Sequence, residues 1–366
     1  LDHAAVAALP APVVDAIGRC AARCATHGSL AVSDHERRAD EVRTLAARLL
    51  GVPASDVAFI KNTTEGLGFV ANGLRWTGGD RVVLADREFP STVYPWLALR
   101  DRGVVVDFVP PVGPGQCLPV EAFADVIAAG PAPKVVAVSW VQFGRGWRTD
   151  LAALATVAHD AGALLCVDVI QGLGVIPAQL ASWGVDFAMA DAHKWLLGPE
   201  GIGVLYVRGS RLDLLRPLEP GWASVTHRGQ WDNLDLVWDP DARRLEGGSA
   251  NMIGLHGLGA GVELLLEAGV DRVWAHVSGL CERLREGLAE AGATVLSDRS
   301  TRGRSGIVTF SLYDRDPVGI TDALRAHGVV CSARGGGVRV SPHGYNTTQE
   351  IDRLIDVVAE QARAGA

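Results

Sequence analysis

Residues 134–169, KVVAVSWVQFGRGWRTDLAALATVAHDAGALLCVDV, decide the fold. An apolar run at 135–141 leads to Thr149 or Asp150, either of which caps a helix through Leu154 and Val157. Gly162 stops that helix, and a second apolar run at 163–169 follows. Strand, crossover helix, strand is the unit from which parallel sheets are built, and two predominantly apolar runs suit strands covered on both faces. Asp168 falls at the carboxyl end of the second strand, where open α/β sheets bind their ligands.

The same alternation extends outward from about 57 to 208, with strands expected at 57–60, 81–85, 104–109, 134–141, 163–169, 186–190 and 203–207. The fold class is α/β, with a mostly parallel seven-stranded sheet. After a looser Trp-, Asp- and Arg-rich stretch at 219–245, the chain enters one long helical pattern at 252–291. A strand at 306–312, a helix near 320–326, a strand at 337–341 and a final helix from Thr348 predict a smaller C-terminal α+β domain. Without repeats or long linkers, the expected division is a segment 1–20 on the active-site side, a large domain 21–250 and a small domain 251–366.

The chain has 366 residues, 34 basic against 42 acidic side chains for a net charge of -8, and 48% hydrophobic residues. That composition excludes disorder and provides a deep core. Basic residues are scattered and only Lys61, Lys134 and Lys194 are lysines, which argues against a nucleic-acid partner. No apolar run approaches the roughly 20 residues of a membrane span, and 1–10 lacks a signal-peptide pattern, so no membrane partner and a cytoplasmic protein are expected. Leu1 stands where an initiator Met would, and the expectation is that a few first residues are lost. The six cysteines, at 20, 24, 117, 166, 281 and 331, form neither a disulfide framework nor paired CxxC ligands, so no metal is expected. Cys20 and Cys24 share a helix face at i, i+4, which would suit metal or redox chemistry; packing is the reading taken.

There is no GxxxxGK, HExxH or GxSxG motif, and Gly172-Leu173-Gly174 lacks the third glycine of a dinucleotide fingerprint. What remains is a chain-ordered set: 62–66, Asp168 with Gln171, 191–194, 248–251 and Arg339. Lys194 precedes Trp195, Leu196 and Leu197, an odd setting for a solubilising lysine. Desolvation there lowers its pKa and frees a neutral amine for Schiff-base chemistry, against the plainer reading of a partly buried lysine. Asp168, ending an apolar strand, needs a cationic or hydrogen-bonding partner; a protonated pyridine nitrogen is one, a helix cap or ion pair another. Gln171 can offer an amide to a phenolic oxygen. Thr63 and Thr64 open a helical run, where hydroxyls and backbone N–H groups face an anion, although capping explains them equally.

Together these residues resemble pyridoxal-phosphate enzymes of fold type I, specifically the class V aminotransferase family that includes cysteine desulfurases and isopenicillin N epimerase. The resemblance runs through 1–5, Glu88-Phe89-Pro90, 167–171, His193-Lys194 with 198–203, 246–251 and 339–347. It implies pyridoxal 5'-phosphate as cofactor, an amino acid substrate and a homodimer with the active site at the subunit interface. By position it implies that Lys194 holds the cofactor as a Schiff base, Asp168 pairs with the pyridine nitrogen and Gln171 touches the ring oxygen. It further implies that Thr63 and Thr64 hold the phosphate, Ser249 reaches it from the partner subunit, Phe89 stacks on the ring and Arg339 clamps the substrate carboxylate. His193 could add a phosphate contact and Gln142 an amide beside the cofactor.

Two departures matter. Phe89 stands where desulfurases stack a histidine, and the only thiol near the place of their nucleophilic cysteine is Cys331, taken as an inert packing thiol. Asp191 stands where many relatives have Ser or Asn, and an extra anion keeps it out of the phosphate set. The expected function is chemistry at the alpha carbon of an amino acid, by a class V aminotransferase or an epimerase-like enzyme. Epimerisation needs a second proton donor, for which His27, His343 and Tyr345 are candidates. Alternatives are β-elimination, C–S lyase or cysteine desulfurase-like activity and, remotely, a non-catalytic cofactor-binding regulator. The last needs a basic helix-turn-helix that residues before Val57 do not provide.

Overall fold

Seven strands form the central sheet: β1 (Val57–Ile60), β2 (Arg81–Ala85), β3 (Val105–Val109), β4 (Val135–Ser139), β5 (Leu164–Asp168), β6 (Phe187–Asp191) and β7 (Gly203–Val207). The structure, a computed structural model, describes residues 1–113 and 115–363. The strand order is β1-β7-β6-β5-β4-β2-β3; β7 runs antiparallel to both neighbours and the remaining pairs are parallel. β1, β2, β4, β6 and β7 are buried along their whole length, in keeping with their mostly apolar sequences.

The helices are α1 (Ala11–His27), α2 (Val32–Leu50), α3 (Thr63–Gly73), α4 (Pro90–Leu97), α5 (Val120–Ala128), α6 (Leu151–Asp160), α7 (Met252–Ala268), α8 (Val270–Glu290), α9 (Pro317–Ala326) and α10 (Thr348–Arg363). At α6 the structure decides between the two cap candidates. The Asp150 side chain accepts from the Ala153 N–H at 3.1 Å, while the Thr149 hydroxyl donates to the Ser139 carbonyl.

The helical pattern at 252–291 is two helices rather than one. Gly269, at φ 79°, ends α7, and α8 leaves at 80° to it. α7 lies against α1, α2 and the loop after β6 because its glycines admit close neighbours. A Cβ on Gly259 would meet Val42 at 2.5 Å, and one on Gly261 would meet the Leu196 carbonyl at 2.3 Å. Among the described residues no single helix is long and apolar enough to cross a membrane.

A second, antiparallel sheet has the order β10-β11-β9-β8, from β8 (Thr294–Val295), β9 (Val308–Ser311), β10 (Ser332–Arg334) and β11 (Gly337–Val340). β8 and β10 were not expected, since two or three residues carry no readable alternation. The chain's first residues tie this sheet to the first. The Ser341 N–H donates to the Leu1 carbonyl at 2.8 Å, and the Ala7 N–H to that of His193 at 2.8 Å.

Candidate active site

The carboxyl ends of β1, β2, β4, β5 and β6 open into one cavity of about 270 Å³, lined among others by Thr63, Thr64, Phe89, Ser139, Asp168, Gln171, His193 and Lys194. Parallel strands bring these residues to one edge although up to 131 positions separate them in the chain.

Asp168 is buried at the end of β5. Its Oδ2 accepts from the Thr92 hydroxyl at 3.0 Å and its Oδ1 from the Ile170 N–H at 3.0 Å. Burial raises its pKa, against which those hydrogen bonds and the charge of Lys194 act. A buried carboxylate so placed favours a cation beside it.

Lys194 sits in the turn that follows β6. The turn is closed by the Gly198 N–H donating to the Ala192 carbonyl at 2.9 Å, with Leu197 held at φ 58°. A branched residue there costs about 1–2 kcal/mol, and buried packing of Trp195, Leu196 and Leu197 holds it. Among the described residues Nζ has no hydrogen-bond or ion-pair partner; it lies 5.6 Å from the Phe89 ring centroid. Desolvation lowers the Lys194 pKa; Asp168 opposes this and the Arg339 charge adds to it. The shift favours the neutral amine, the form that acts as nucleophile and base.

Gln171 is buried, and its orientation follows from a donor that cannot accept. Trp195 Nε1 donates to Oε1 at 2.9 Å, so the amide nitrogen points the other way and donates one hydrogen to the Ala4 carbonyl at 3.0 Å. Its second hydrogen is left for a ligand. Thr63 and Thr64 open α3, whose cap is Asn62. Thr63 Oγ1 accepts from the Asp191 N–H at 3.1 Å, which leaves its proton to donate, and the Thr64 hydroxyl donates to Ser91 Oγ at 2.8 Å.

His193 Nδ1 is buried beside Asp191 Oδ1 at 3.1 Å, an ion-pair distance, and has no hydrogen-bond partner among the described residues. Asp191, left out of the anion set, does line the cavity; its Oδ1 accepts from the Ala192 N–H at 2.9 Å. Phe89 caps α4 with its exposed ring open to the cavity, and Phe143 meets it edge-on at 5.4 Å.

Other expected residues lie apart. Gln142 does not reach the cavity: its Nε2 donates to the Arg87 carbonyl at 2.7 Å, and its Oε1 accepts from the Gly144 and Arg145 N–H groups. The turn after β4 consumes that amide. Within one chain Ser249 lines a different, 480 Å³ pocket beside Phe59, Lys61 and Asn251. Arg339, on β11, is buried outside the cavity wall. Its Nη1 donates to the carbonyl of the cavity residue Phe143 at 2.9 Å and its Nη2 to Asp2 Oδ1 at 3.3 Å, while Nε has no partner among the described residues. His27 ends α1 and bonds Thr26. His343 lies behind Lys194, its Nε2 donating to the Trp195 carbonyl at 3.1 Å, and Tyr345 bonds His3 at 2.5 Å.

Two contributors were missed. Thr92 holds Asp168, and Glu88, read only as part of a motif, is buried with its carboxylate accepting from Ser139 N at 2.6 Å and Ser139 Oγ at 2.5 Å. A polar Ser-Thr pair in the first turn of α4, the helix that follows β2, was the available signal for Thr92.

The donor set fits pyridoxal 5'-phosphate. Among the described residues an amine without hydrogen-bond or ion-pair partner, a desolvated carboxylate, an imidazole and a helix N-terminus line one cavity, and these are complementary to an aldehyde, a pyridinium and a phosphate. Comparison with known proteins agrees. A probable cysteine desulfurase of Methanothermobacter thermautotrophicus is 30% identical over 352 residues, covering 90% of this chain and 85% of that protein. An apo cysteine desulfurase from Thermococcus onnurineus superposes with a TM-score of 0.89 at 26% identity, covering 99% of this chain and 94% of that one. A variant of a cystine C–S lyase, with glycine covalently linked to its pyridoxal-phosphate cofactor, shares the fold with a TM-score of 0.89 at 22% identity, covering 98% and 95%. The class-V aminotransferase family model matches residues 1–354, and the chain is a pyridoxal-phosphate-dependent enzyme belonging to that family.

Proposed function

We propose that this enzyme is a lyase that breaks the Cβ–S bond of a sulfur-containing amino acid by β-elimination. The relatives named cysteine desulfurases support C–S scission over the transamination or epimerisation first expected. The observation that separates elimination from desulfuration is Cys331. It is buried before β10 with its thiol pushed up to about 12 by burial, and no cysteine lines the cavity among the described residues. Without an acceptor thiol, the C–S electron pair leaves with sulfur as sulfide, and the remaining aminoacrylate hydrolyses to pyruvate and ammonia.

In this reading Lys194 would tether the cofactor, Asp168 would pair with its pyridine nitrogen, Gln171 would serve the phenolic oxygen and Phe89 the ring. Thr63, Thr64, His193 and the α3 N-terminus hold the phosphate. When bound, the cofactor supplies an electron sink for charge developing at the alpha carbon. Lys194, whose amine burial shifts toward the neutral form, would serve as the base that removes the alpha proton. Arg339 would take the substrate carboxylate through its planar fork only by moving into the cavity and giving up its contacts with Asp2 and the Phe143 carbonyl. Phe89 and Phe143 offer no proton beside the Lys194 amine, which counts against epimerisation.

The working unit in this proposal is a cytoplasmic homodimer, with residues 21–250 seating the cofactor, 251–366 bringing Arg339 and 1–20 joining the two. Ser249 then acts on the partner's phosphate. The exposed Trp231, Leu234 and Leu236 suit such an interface.

The test is product analysis with cysteine, cystine and other amino acids. Elimination yields sulfide, pyruvate and ammonia in equal amounts from cysteine. Alanine with a persulfide that disappears in Cys331→Ser restores desulfuration. Keto acid without sulfide, or inverted chirality, overturns the lyase reading.

A further inference from the structure

A second group of reactive side chains lies between helices, away from the cofactor cavity. Cys20 and Cys24 stand one turn apart on α1, and His35 reaches them from α2. One ligand atom from each lies within 4.8 Å of the others. Cys20 and His35 are buried and Cys24 opens to solvent, so the cluster has two fixed walls and an access side.

The spacing suits a tetrahedral ion. With metal–sulfur about 2.3 Å and metal–nitrogen about 2.0 Å, two ligands at the tetrahedral angle are about 3.5 Å apart. Cys24 Sγ and His35 Nε2 are 3.5 Å apart. Behind His35, its Nδ1 lies 3.3 Å from Nε2 of His256 on α7. A histidine that ligates through one nitrogen donates its other N–H to an outer acceptor, a role that a neutral His256 Nε2 can fill and that fixes the tautomer and ring orientation.

A disulfide does not compete. Residues at i, i+4 of a helix hold their Cβ atoms about 5–6 Å apart, beyond the roughly 3.5–4.5 Å a disulfide spans. Of the neighbouring cations, Arg23 pairs with Asp34 and Arg38 with Glu41 and Glu263, while the charge of Arg19 reaches His256. Two thiolates balance a divalent ion, and sulfur with imidazole selects zinc over magnesium or calcium.

We propose that Cys20, Cys24 and His35 form a zinc site with water in the fourth position, and that His256 is its positioning residue. The sequence alone led to the packing reading because His35 and His256 join the two thiols only through the meeting of α1, α2 and α7. The bound ion clamps α1 to α2 and, through His256, to the helix that backs the Lys194 turn at Gly261.

The test titrates the reduced, cofactor-loaded enzyme with Co²⁺ and reads d–d absorption in the red, where the cofactor does not absorb. One equivalent of cobalt gives intense tetrahedral bands, and one equivalent of Zn²⁺ removes them. Cys24→Ser, at an exposed position that folding does not require, abolishes the bands, while Cys117→Ser retains them. His256→Phe weakens zinc binding about 10- to 100-fold. Absent bands in the unmodified enzyme, or bands that survive Cys24→Ser, overturn the site; unchanged zinc affinity in His256→Phe overturns the role of His256.

Discussion

Replacing Glu88 by glutamine should make the cofactor-free protein more stable, and only above mildly acidic pH. The side chain is buried at the edge of the cofactor cavity, between Ser139 and the end of β5. Burial pushes its carboxyl up from its ordinary 4.5 to about 7, the Asp168 charge adds to the rise, and the Ser139 hydrogen bonds only partly offset it. A carboxyl raised in the folded state binds protons there that the unfolded chain has already lost. Stability therefore falls as pH climbs from 4.5 through 7, and is level above. At about 1.4 kcal/mol per pH unit, that interval corresponds to roughly 3 kcal/mol. Glutamine keeps both contacts, its oxygen accepting from the Ser139 N–H and its amide donating to the hydroxyl, and it carries no charge. Urea unfolding of cofactor-free wild type and Glu88→Gln, followed by tryptophan fluorescence from pH 4.5 to 8.5, isolates the effect as the difference between the two curves. The variant's advantage should grow by about 3 kcal/mol across that range. A flat difference, or one favouring wild type as pH rises, would refute the reasoning.

Asp168→Asn keeps the Thr92 and Ile170 contacts but removes the charge facing the pyridine nitrogen. Its affinity for pyridoxal phosphate should fall about 10- to 100-fold, the worth of a hydrogen bond to a charged group, measured by equilibrium dialysis; undiminished affinity contradicts the pairing. Cys331→Ser should leave sulfide release from cysteine unchanged, because the thiol is buried and held protonated; loss of sulfide release contradicts elimination. Arg43 binds Glu246 at 2.6 and 3.2 Å beneath Phe59 and also donates to the Val57 carbonyl. Arg43→Ala should cost about 3 kcal/mol in urea unfolding by stranding Glu246, and a loss below about 1 kcal/mol, the scale of an exposed pair, would contradict that.

What could be read from the sequence follows from the range of each interaction. β1, β2 and β7 occupy the expected positions because a strand buried on both faces writes its own apolar run. The break at Gly269 was hidden because the helical period continues through it, and only the positive φ turns the chain. Lys194 and Asp168 stood out as charges placed against apolar neighbours, a local contrast. Gln142 was the weaker candidate, and its amide is spent on the turn at Gly144 and Arg145, which chain order does not reveal. Thr92 acts on a carboxylate 76 positions away and Glu88 on a serine 51 away, and such partners meet only when the sheet assembles.

The most direct measurement is the absorption spectrum of purified protein incubated with pyridoxal phosphate and then freed of excess cofactor. The wild type should keep a visible band from cofactor joined to a lysine, reducible by borohydride to a modification at Lys194, and Lys194→Ala should lack both. A colourless wild type, or a lysine-linked band that persists in Lys194→Ala, would contradict the assignment of this cavity.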